Sequence, residues 1–403
     1  MIDAGSRFFV SESNFVDWKP DITTEFFDFD QRRTLTIKGL VKQFPPFEDK
    51  ELPVIARHID NLSPSVHTFA VDEDGLLVGV STDEKDDFTW FIPYPRFFDV
   101  ESLAGCRTVM YSKLTEIDRL GPGIDRCCYE DDNGLLRYVA FKYTCIEQIK
   151  RREMAWVELQ TLKNLPPHAN LLLLDRVVLE DVESRVIGFT TSFICGGTLE
   201  DNPTTLFRFE WLQQLTSVVD FLNLELGIMH QDIAPRNIFI DSATQGIRLF
   251  EFDWAARGKL GLMDGRDDVT GVIYTLYEVI TGNDEHTHIP HWERDVKEVF
   301  DLPEWPVRRE LDRDVSIFRN FLNEWVAKRE ADGGIDRYLS VPQLCEWPPI
   351  AEAEDLPYMA GSTDADGKLV PSYGPRYRRD AIKNGQYLFR WERPPQCRLP
   401  KKE

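Results

Sequence analysis

Two polar side chains that could act together in catalysis lie five residues apart in the segment from Gly227 to Asn237. This segment reads GIMHQDIAPRN and contains a carboxylate, Asp232, and an amide, Asn237. A carboxylate can orient a hydroxyl group and accept its proton, and an amide oxygen can bind a divalent metal ion. Residues 210–226 have apolar side chains at helical spacing, which predicts that the pair lies in a loop directly after a helix.

A second pair consists of Lys142 and Glu158, which lie sixteen positions apart. Lys142 lies in the strand-like stretch YVAFKY, where apolar neighbours leave its ammonium group in need of an anionic partner. Residues 151–165 have the spacing of a helix and place Glu158 within it. An exposed helical charge is the alternative for Glu158, but the pattern favours an ion pair with Lys142.

From about residue 114 to residue 328, the order of these motifs resembles that of protein-kinase-like proteins, and most of all the divergent kinase-like proteins common in fungi. The HxDxxxxN pattern of the Asp232 loop and the stretch from Val139 to Lys142 carry the resemblance. It implies an α+β fold of two lobes, a small β-rich lobe and a larger helical lobe. It also implies ATP and Mg²⁺ between the lobes, with Asp232 as the catalytic base for transfer of the γ-phosphoryl group to a hydroxyl.

The resemblance also assigns residues to the nucleotide. Gly121 and Gly123 match the first two glycines of a phosphate-covering loop, where the missing Cβ lets the backbone approach phosphate oxygens. Arg126 replaces the third glycine of that pattern. The stretch from Ser192 to Glu200 matches the hinge between the lobes, where backbone groups, with Ser192 and Ile194 as the predicted contacts, would bind the adenine edge.

The resemblance places the phosphates and the metal among five side chains. Lys142, paired with Glu158, would hold the α- and β-phosphates, and Asn237 and Glu251 would bind Mg²⁺. Glu251 replaces the usual aspartate, and its longer side chain changes the distance from the backbone to the ligand oxygens. Asp253 lies two residues later, so in an extended segment it would face the same side and could share the metal.

Three departures from the family pattern leave the function open. Gln231 replaces an arginine that usually binds an activation-loop phosphate, so phosphorylation there is not expected to activate this protein. Asp268, expected to brace the Asp232 loop, follows Glu251 by only seventeen positions, and no A-P-E motif separates them. This short segment lacks the usual docking surface for a peptide. The family resemblance nevertheless favours a hydroxyl on a protein as the acceptor. The alternatives are a small-molecule kinase and a pseudokinase that only binds nucleotide or serves as a scaffold.

Changes in composition divide the 403 residues into four parts. Residues 1–110 form a β-rich region of unknown role, residues 111–195 a kinase-like small lobe and hinge, residues 196–346 a large lobe, and residues 347–403 an irregular tail. A chain of this length is expected to contain two or three globular units.

The net charge and the cysteine pattern indicate which partners the protein could bind and in which compartment it is expected. The net charge of −22 argues against binding to nucleic acid or to an anionic membrane surface. No apolar run approaches the ~18 residues of a membrane span, and the first residues do not resemble a secretion signal. The seven cysteines follow no disulfide or metal pattern, which favours a reducing compartment. We therefore expect an intracellular protein, cytoplasmic or nuclear.

Overall fold

The computed structural model combines α-helices with several β-sheets, in agreement with the mixed α and β composition expected from the sequence. It describes residues 2, 5–10, 23–39, 51–146, 149–342, 377–383 and 385–398. Among these residues, no helix is both long enough and apolar enough to cross a lipid bilayer. All six cysteines in the described ranges are free thiols.

The first part of the chain forms a five-stranded sheet, here called the N-terminal sheet, with strands in sequential order. Its strands are β1 (Phe8–Val10), β2 (Thr23–Asp28), β3 (Arg33–Lys38), β4 (Thr68–Val71) and β5 (Leu77–Ser81). The predicted β-rich character and the predicted β4–β5 hairpin are confirmed. Helix α1 (Glu51–Ile59), which the sequence analysis did not identify, buries Ile55 and Ile59 against Phe26 and Phe69 of this sheet.

The second sheet, here called the central sheet, has six strands in the order β6-β10-β11-β9-β8-β7. These strands are β6 (Thr108–Met110), β7 (Thr115–Gly121), β8 (Ile124–Glu130), β9 (Leu136–Tyr143), β10 (Leu174–Leu179) and β11 (Val186–Ser192). Helix α2 (Ile149–Asn164) lies between β9 and β10 in the chain. The leucine run at 171–174 lies mostly outside this sheet: Leu171 and Leu172 are buried, Leu171 forms an isolated bridge with Leu249, and β10 starts only at Leu174. A run of leucines indicates burial but does not by itself distinguish a strand.

Both faces of the central sheet are covered. Alternation along β9 turns Val139, Phe141 and Tyr143 to one face and Lys142 to the other. Helix α2 covers the Lys142 face with Trp156, Leu159 and Leu162. The opposite face packs against Phe27 and Phe29 from the N-terminal sheet and against Trp391 near the C-terminus. Residues near both ends of the chain therefore bury an aromatic surface that this sheet would otherwise expose.

Residues 196–342 form the helical part of the molecule. Its helices are α3 (Phe209–Asp220), α4 (Asp268–Thr281), α5 (Lys297–Phe300), α6 (Val315–Ala331) and α7 (Gly334–Ser340). Two small ladders join the loops between α3 and α4: β12 (Ile228–Met229) pairs with β15 (Ala256–Arg257), and β13 (Ile238–Ile240) pairs with β14 (Ile247–Leu249). The helix predicted at 210–226 is present as α3 and ends in a π-helical turn.

The end of the chain is tied to the two sheets by a buried ionic cluster, here called the junction. After α8 (Arg378–Lys383), Trp391 stacks on Tyr143 with ring centroids 4.8 Å apart. Arg393 then binds Asp125 at 2.7 Å and Glu116 at 2.6 Å, both on the β7–β8 hairpin. The other junction members are Asp30, Arg32 and Arg119. These contacts attach the hairpin that carries Gly121 and Gly123 to both ends of the described chain.

We expect Arg393→Ala to lower the free energy of unfolding by about 2–3 kcal/mol, because it leaves buried carboxylates with fewer donors. Asp125 is fully buried and would retain only Arg32 among its arginine partners. Urea denaturation measures the change. The matched control is Arg390→Ala, three residues earlier and exposed. Equal, small losses in both variants would contradict a stabilising role for the junction.

Candidate functional site

The loop that carries Asp232 is held in place by the first residue of α4. One carboxylate oxygen of Asp268 accepts the backbone N–H of His230 at 2.8 Å, and the other accepts that of Gln231 at 2.7 Å. Asn223 donates a further hydrogen bond to Asp268 at 2.8 Å. Burial raises the pKa of Asp268, and His230 and these donors oppose that rise. The predicted bracing role of Asp268 is confirmed.

His230 connects the Asp232 loop to the segment that carries Glu251. Its Nε2 lies 2.8 Å from the backbone oxygen of Phe250, and its Nδ1 accepts the backbone N–H of Asp232 at 3.2 Å. The ring packs against Phe252 at 4.8 Å. His230 therefore holds the two segments together through backbone contacts.

Gln231 ties the segment after Glu251 to the same loop. Its amide nitrogen donates to the backbone oxygens of Trp254 at 2.6 Å and Gly261 at 2.9 Å. Its amide oxygen accepts the backbone N–H of Met263 at 2.6 Å. An uncharged side chain thus orders this short segment directly, which agrees with the expectation that no phosphate is needed there. The sequence analysis did not predict these contacts.

Lys142, Glu158 and Glu251 meet at one ammonium group. The Nζ atom of Lys142 lies 2.5 Å from Glu158, on α2, and makes a second, short ion pair with Glu251. The expected pairing of Lys142 with Glu158 is confirmed. The contact with Glu251 was not predicted, since the family resemblance assigns that residue to the metal. Glu251 has a backbone φ of 69°, a left-handed conformation that is strained for a residue with a side chain.

The surroundings of Lys142 carry more negative than positive charge. Asp253 lines the same cavity as Lys142 and Glu251, so three carboxylates, including Glu158, surround one ammonium. Burial alone would lower the pKa of Lys142. The attraction of these carboxylates outweighs burial, so the pKa of Lys142 is raised. Burial raises the pKa of Glu158, and burial together with Glu251 and Asp232 raises the pKa of Asp253 to about 6, against the pull of Lys142. An additional cation would relieve this excess of negative charge.

These residues fit a magnesium ion only as part of a shared coordination shell. One oxygen of Asp253, Oδ1, is buried and makes no hydrogen bond within the described residues. In the same part of the chain, no group of three or more His, Cys, Asp or Glu side chains is arranged to hold a metal by itself. Magnesium commonly takes one or two protein carboxylates and completes its shell with water and phosphate oxygens. Asp253 and Glu251, which line one cavity, meet that requirement for two carboxylates, and Asn237 as a further ligand stays a prediction.

Asn237 and Asp232 are brought together as the motif predicts. The amide nitrogen of Asn237 donates to the backbone oxygen of Asp232 at 2.8 Å and to its Oδ2 at 2.7 Å. The amide oxygen of Asn237 makes no hydrogen bond to the described chain and stays available for a metal. Arg236 donates to the other carboxylate oxygen of Asp232 at 2.6 Å, a contact that the sequence analysis did not identify although Arg236 lies inside the motif.

The glycine hairpin is tighter than a phosphate-covering loop. Gly121 pairs with Ile124, so only Pro122 and Gly123 form the turn. Gly123 has a φ of 73°, and a Cβ there would lie 2.7 Å from the backbone oxygen of Tyr143, so the turn itself requires glycine. A Cβ on Gly121 would meet open space. Contact of either glycine with a phosphate stays a prediction.

The predicted hinge residues lie apart from the charged side chains. Ser192 is the last residue of β11, paired with Val139, and its side chain is exposed. Ile194 follows the strand and makes no backbone hydrogen bond among the described residues, so its N–H and C=O are available. Neither residue lines the two cavities described next.

Two cavities contain five of the predicted residues, whereas Gly121, Glu158 and Asn237 line neither. The first, of about 240 Å³, is lined by Gly123, Lys142, Glu251 and Asp253. The second, of about 170 Å³, contains Asp232. Its other charged or aromatic lining residues were missed by the sequence analysis: Arg236, Arg266, Asp267, Tyr274, Glu278, His286, His291 and Arg294. Arg236 lies inside the motif and Tyr274 and Glu278 lie in α4, but no sequence pattern indicates that these side chains and those of residues 286–294 share one cavity.

No protein-family model matches this sequence, and a comparison with curated proteins finds no match.

The raised pKa of Asp253 predicts that the stability of the protein falls as the pH rises and that bound Mg²⁺ counteracts this fall. Its ordinary pKa is 3.8 and its folded value is about 6, so between these values the folded chain holds the proton more tightly than the unfolded chain. This contribution to stability is complete below about pH 4 and is lost as the pH rises through 6, by on the order of 2 kcal/mol. Asp253→Asn should flatten that fall in urea denaturation.

Because a metal binds the ionised carboxylate, stabilisation by Mg²⁺ should increase from pH 5.5 to pH 7.5 in the wild type and be reduced in Asp253→Asn. Asp264→Asn, at an exposed position of the next loop, is the matched control. A Mg²⁺ effect that is independent of pH and equal in all three proteins would count against Asp253 as a ligand.

Proposed function

We propose that this protein is a phosphotransferase of the protein-kinase-like type, with a small lobe built on the central sheet and α2 and a large lobe built on the helical part. The observation that supports it most is the meeting of Lys142, Glu158 and Glu251. Strand β9, helix α2 and the loop after β14 each supply one of these residues, and Lys142 and Glu251 lie 109 positions apart. The resemblance predicts the same three positions as the phosphate and metal site.

In this proposal, different residues of the chain have separate roles in phosphoryl transfer. Lys142 holds the α- and β-phosphates of ATP, and Glu158 keeps its ammonium in place. Asn237, Glu251 and Asp253 would hold Mg²⁺, which when bound neutralises charge on the phosphates. Because Glu251 forms an ion pair with Lys142 in this structure, binding a metal would require its side chain to turn away from the ammonium group.

Asp232 receives the proton of the acceptor hydroxyl. The acceptor oxygen forms a bond to the γ-phosphorus while the bond from that phosphorus to the β–γ bridging oxygen breaks. The electron pair stays on the bridging oxygen, and ADP leaves. Arg236 and Asn237 hold the Asp232 carboxylate by its two oxygens, which fixes its orientation.

A nucleotide-binding scaffold without turnover is the second candidate, and two observations favour it. The turn at Pro122 and Gly123 is shorter than a loop that covers phosphates, and Gly123 packs on Tyr143. Lys142 is also already bound by two carboxylates. Under this alternative the fold and the nucleotide site are retained, but the metal geometry does not support transfer.

Binding and turnover separate these candidates. Mg-ATP at a hundredfold excess over its dissociation constant should stabilise the protein by about 2.7 kcal/mol, which thermal unfolding detects. The absence of any shift contradicts both candidates. A shift together with ADP release that disappears in Asp232→Ala supports the enzyme, whereas a shift with no ADP release in the presence of varied hydroxyl acceptors supports the scaffold.

A further inference from the structure

The cavity beside Asp232 concentrates positive charge in a strongly acidic chain. It has a volume of about 170 Å³ and lies between the Asp232 loop, the first turns of α4 and residues 286–294. Arg236, Arg266 and Arg294 line it, although the chain as a whole has a net charge of −22. Each of these arginines comes from a different segment, so the fold and not a local run of sequence brings them together.

Among the described residues, two of these arginines have no close carboxylate partner of their own. There, Arg294 donates to the backbone oxygens of Ile289 at 2.7 Å and Thr287 at 3.4 Å and to no carboxylate. Arg266 donates to the backbone oxygen of Gln231 at 3.3 Å and lies 3.7 Å from Asp232, whose nearest oxygen is already bound by Arg236 at 2.6 Å. The Nε atom of Arg266 is buried and has no hydrogen-bond partner in the described chain. These two guanidinium groups are therefore held in place with little direct pairing by the described carboxylates.

The pKa values of three groups that line the cavity also indicate a positive electrostatic potential there. Burial lowers the pKa of Arg294, and Arg266 and Arg236 lower it further. Burial lowers the pKa of His286 to about 4, and Arg294 and Arg236 add to the effect. Burial, Arg266 and Arg294 likewise lower the pKa of His291. Each shift has a cationic contribution in addition to desolvation, as expected in a positive environment.

The acidic groups that face the cavity do not cancel this charge. Besides Asp232 they are Asp267 and Glu278. Asp267 caps α4 by accepting the backbone N–H of Thr270 at 2.9 Å. Burial, with Glu200 and Asp284, raises the pKa of Glu278 to about 7, so at neutral pH it is ionised only in part. An anion entering the cavity would therefore find two guanidinium groups, Arg266 and Arg294, that make no ion pair closer than 3.7 Å with the described residues.

We propose that the hydroxyl acceptor is a small anionic alcohol, with its carboxylate or phosphate held by Arg266 and Arg294 and its hydroxyl at Asp232. This inference rests on the proposed function. The transfer step is the one given above, with the acceptor proton passing to Asp232.

The size of the site favours a small molecule over a peptide. The cavity is below the ~300–1,000 Å³ of common ligand pockets, and residues 286–294 form one of its walls. The segment from Trp254 to Met263, where a longer chain would offer a peptide-docking surface, is short and tied down by Gln231.

The first test measures binding without nucleotide. Glycerol 3-phosphate and glycerate, titrated into the full-length protein in a calorimeter, represent the phosphorylated and carboxylated classes, and glycerol is the uncharged comparison. We expect at least one anionic alcohol to bind and glycerol not to bind. Arg294→Gln should weaken the binding at least about tenfold, the size expected for loss of a charge-assisted contact, while Arg294→Lys should retain part of it. Arg308→Gln, at an exposed position outside the cavity, is the matched control.

The second test measures ADP release with Mg-ATP and the same alcohols, together with an acidic serine peptide. We expect the anionic alcohol that binds to be phosphorylated, and Arg294→Gln to raise its KM about tenfold or more while kcat changes little. Thermal unfolding without ligand confirms that each variant is folded.

The results of the two tests separate a failure of this inference from a failure of the proposed function. Mg-ATP binding with turnover of the peptide or glycerol, but no preference for an anionic alcohol, overturns this inference and leaves the proposed function standing. Anion binding that Arg294→Gln removes, with no effect of Mg-ATP on the protein, overturns the proposed function and the assignment of the anion as acceptor.

Discussion

Asp232→Asn is expected to reduce ADP formation by about 10²- to 10⁴-fold, the contribution of a positioned general base. The amide keeps the size of the side chain and can still accept a hydrogen bond from Asn237, but it cannot take the acceptor proton. Affinity for Mg-ATP should change little, because Lys142 and Glu158 are untouched. Steady-state ADP release and calorimetric nucleotide binding measure the two effects separately.

The same substitution at Asp264 provides the control, because Asp264 is exposed in the segment that follows the site. Asp264→Asn should retain wild-type turnover. If Asp232→Asn and the wild type release ADP at the same rate, the hydroxyl is not activated by this carboxylate. If neither turns over but both bind Mg-ATP, the scaffold is the better account of the molecule.

The residues of the site that could be predicted share one property. Each is a charged side chain with apolar neighbours, and the partner that it needs lies in another predicted segment of the chain. Lys142 needed an anion because its strand neighbours are apolar, and Glu158 was the acidic residue placed for it by the next helix. Asp268 begins a long apolar helix, so its carboxylate needed donors, and the backbone of the Asp232 loop provides them. Such requirements can be recognised before any tertiary contact is known.

The contact between Lys142 and Glu251 depended on more than residue type. The resemblance assigns Glu251 to a metal, but its longer side chain reaches the lysine ammonium, and a left-handed backbone at Glu251 accompanies this contact. Neither the rotamer nor the backbone conformation can be inferred from the letters EFD. The sequence therefore predicted the correct group of residues but not how they share their charges.

The junction and the arginine-lined cavity beside Asp232 could not be predicted at all. Arg119 reaches Asp30, 89 positions earlier, and the backbone oxygen of Pro394, 275 positions later. In sequence, an isolated arginine of this kind looks like a solvated surface charge. Its burial is decided by where the two ends of the chain lie on the central sheet, which no local pattern encodes. In sequence, Arg266 and Arg294 likewise look like solvated surface charges.

Lys142→Met is expected to have the largest effect on stability, a loss of about 3–5 kcal/mol in the free energy of unfolding at pH 7.5. It removes the ammonium group shared by Glu158 and Glu251 and leaves Glu158, which is only 3% exposed, as an uncompensated buried acid. Binding of Mg-ATP should be lost as well. Urea denaturation measures the first effect and a nucleotide-dependent thermal shift the second, with exposed Lys113→Met as the control.

The pH dependence and a second substitution test the cause of that loss. Without Lys142 the buried carboxylates hold protons more tightly in the folded state than in the unfolded state, so stability should fall as the pH rises, and the loss at pH 5.5 should be smaller than at pH 7.5. Adding Glu158→Gln removes one buried charge and should restore at least about half of the lost stability. It should not restore nucleotide binding, because the phosphates would still lack their cation. A double variant as unstable as Lys142→Met alone would mean that the lysine stabilises the fold through its packing rather than its charge.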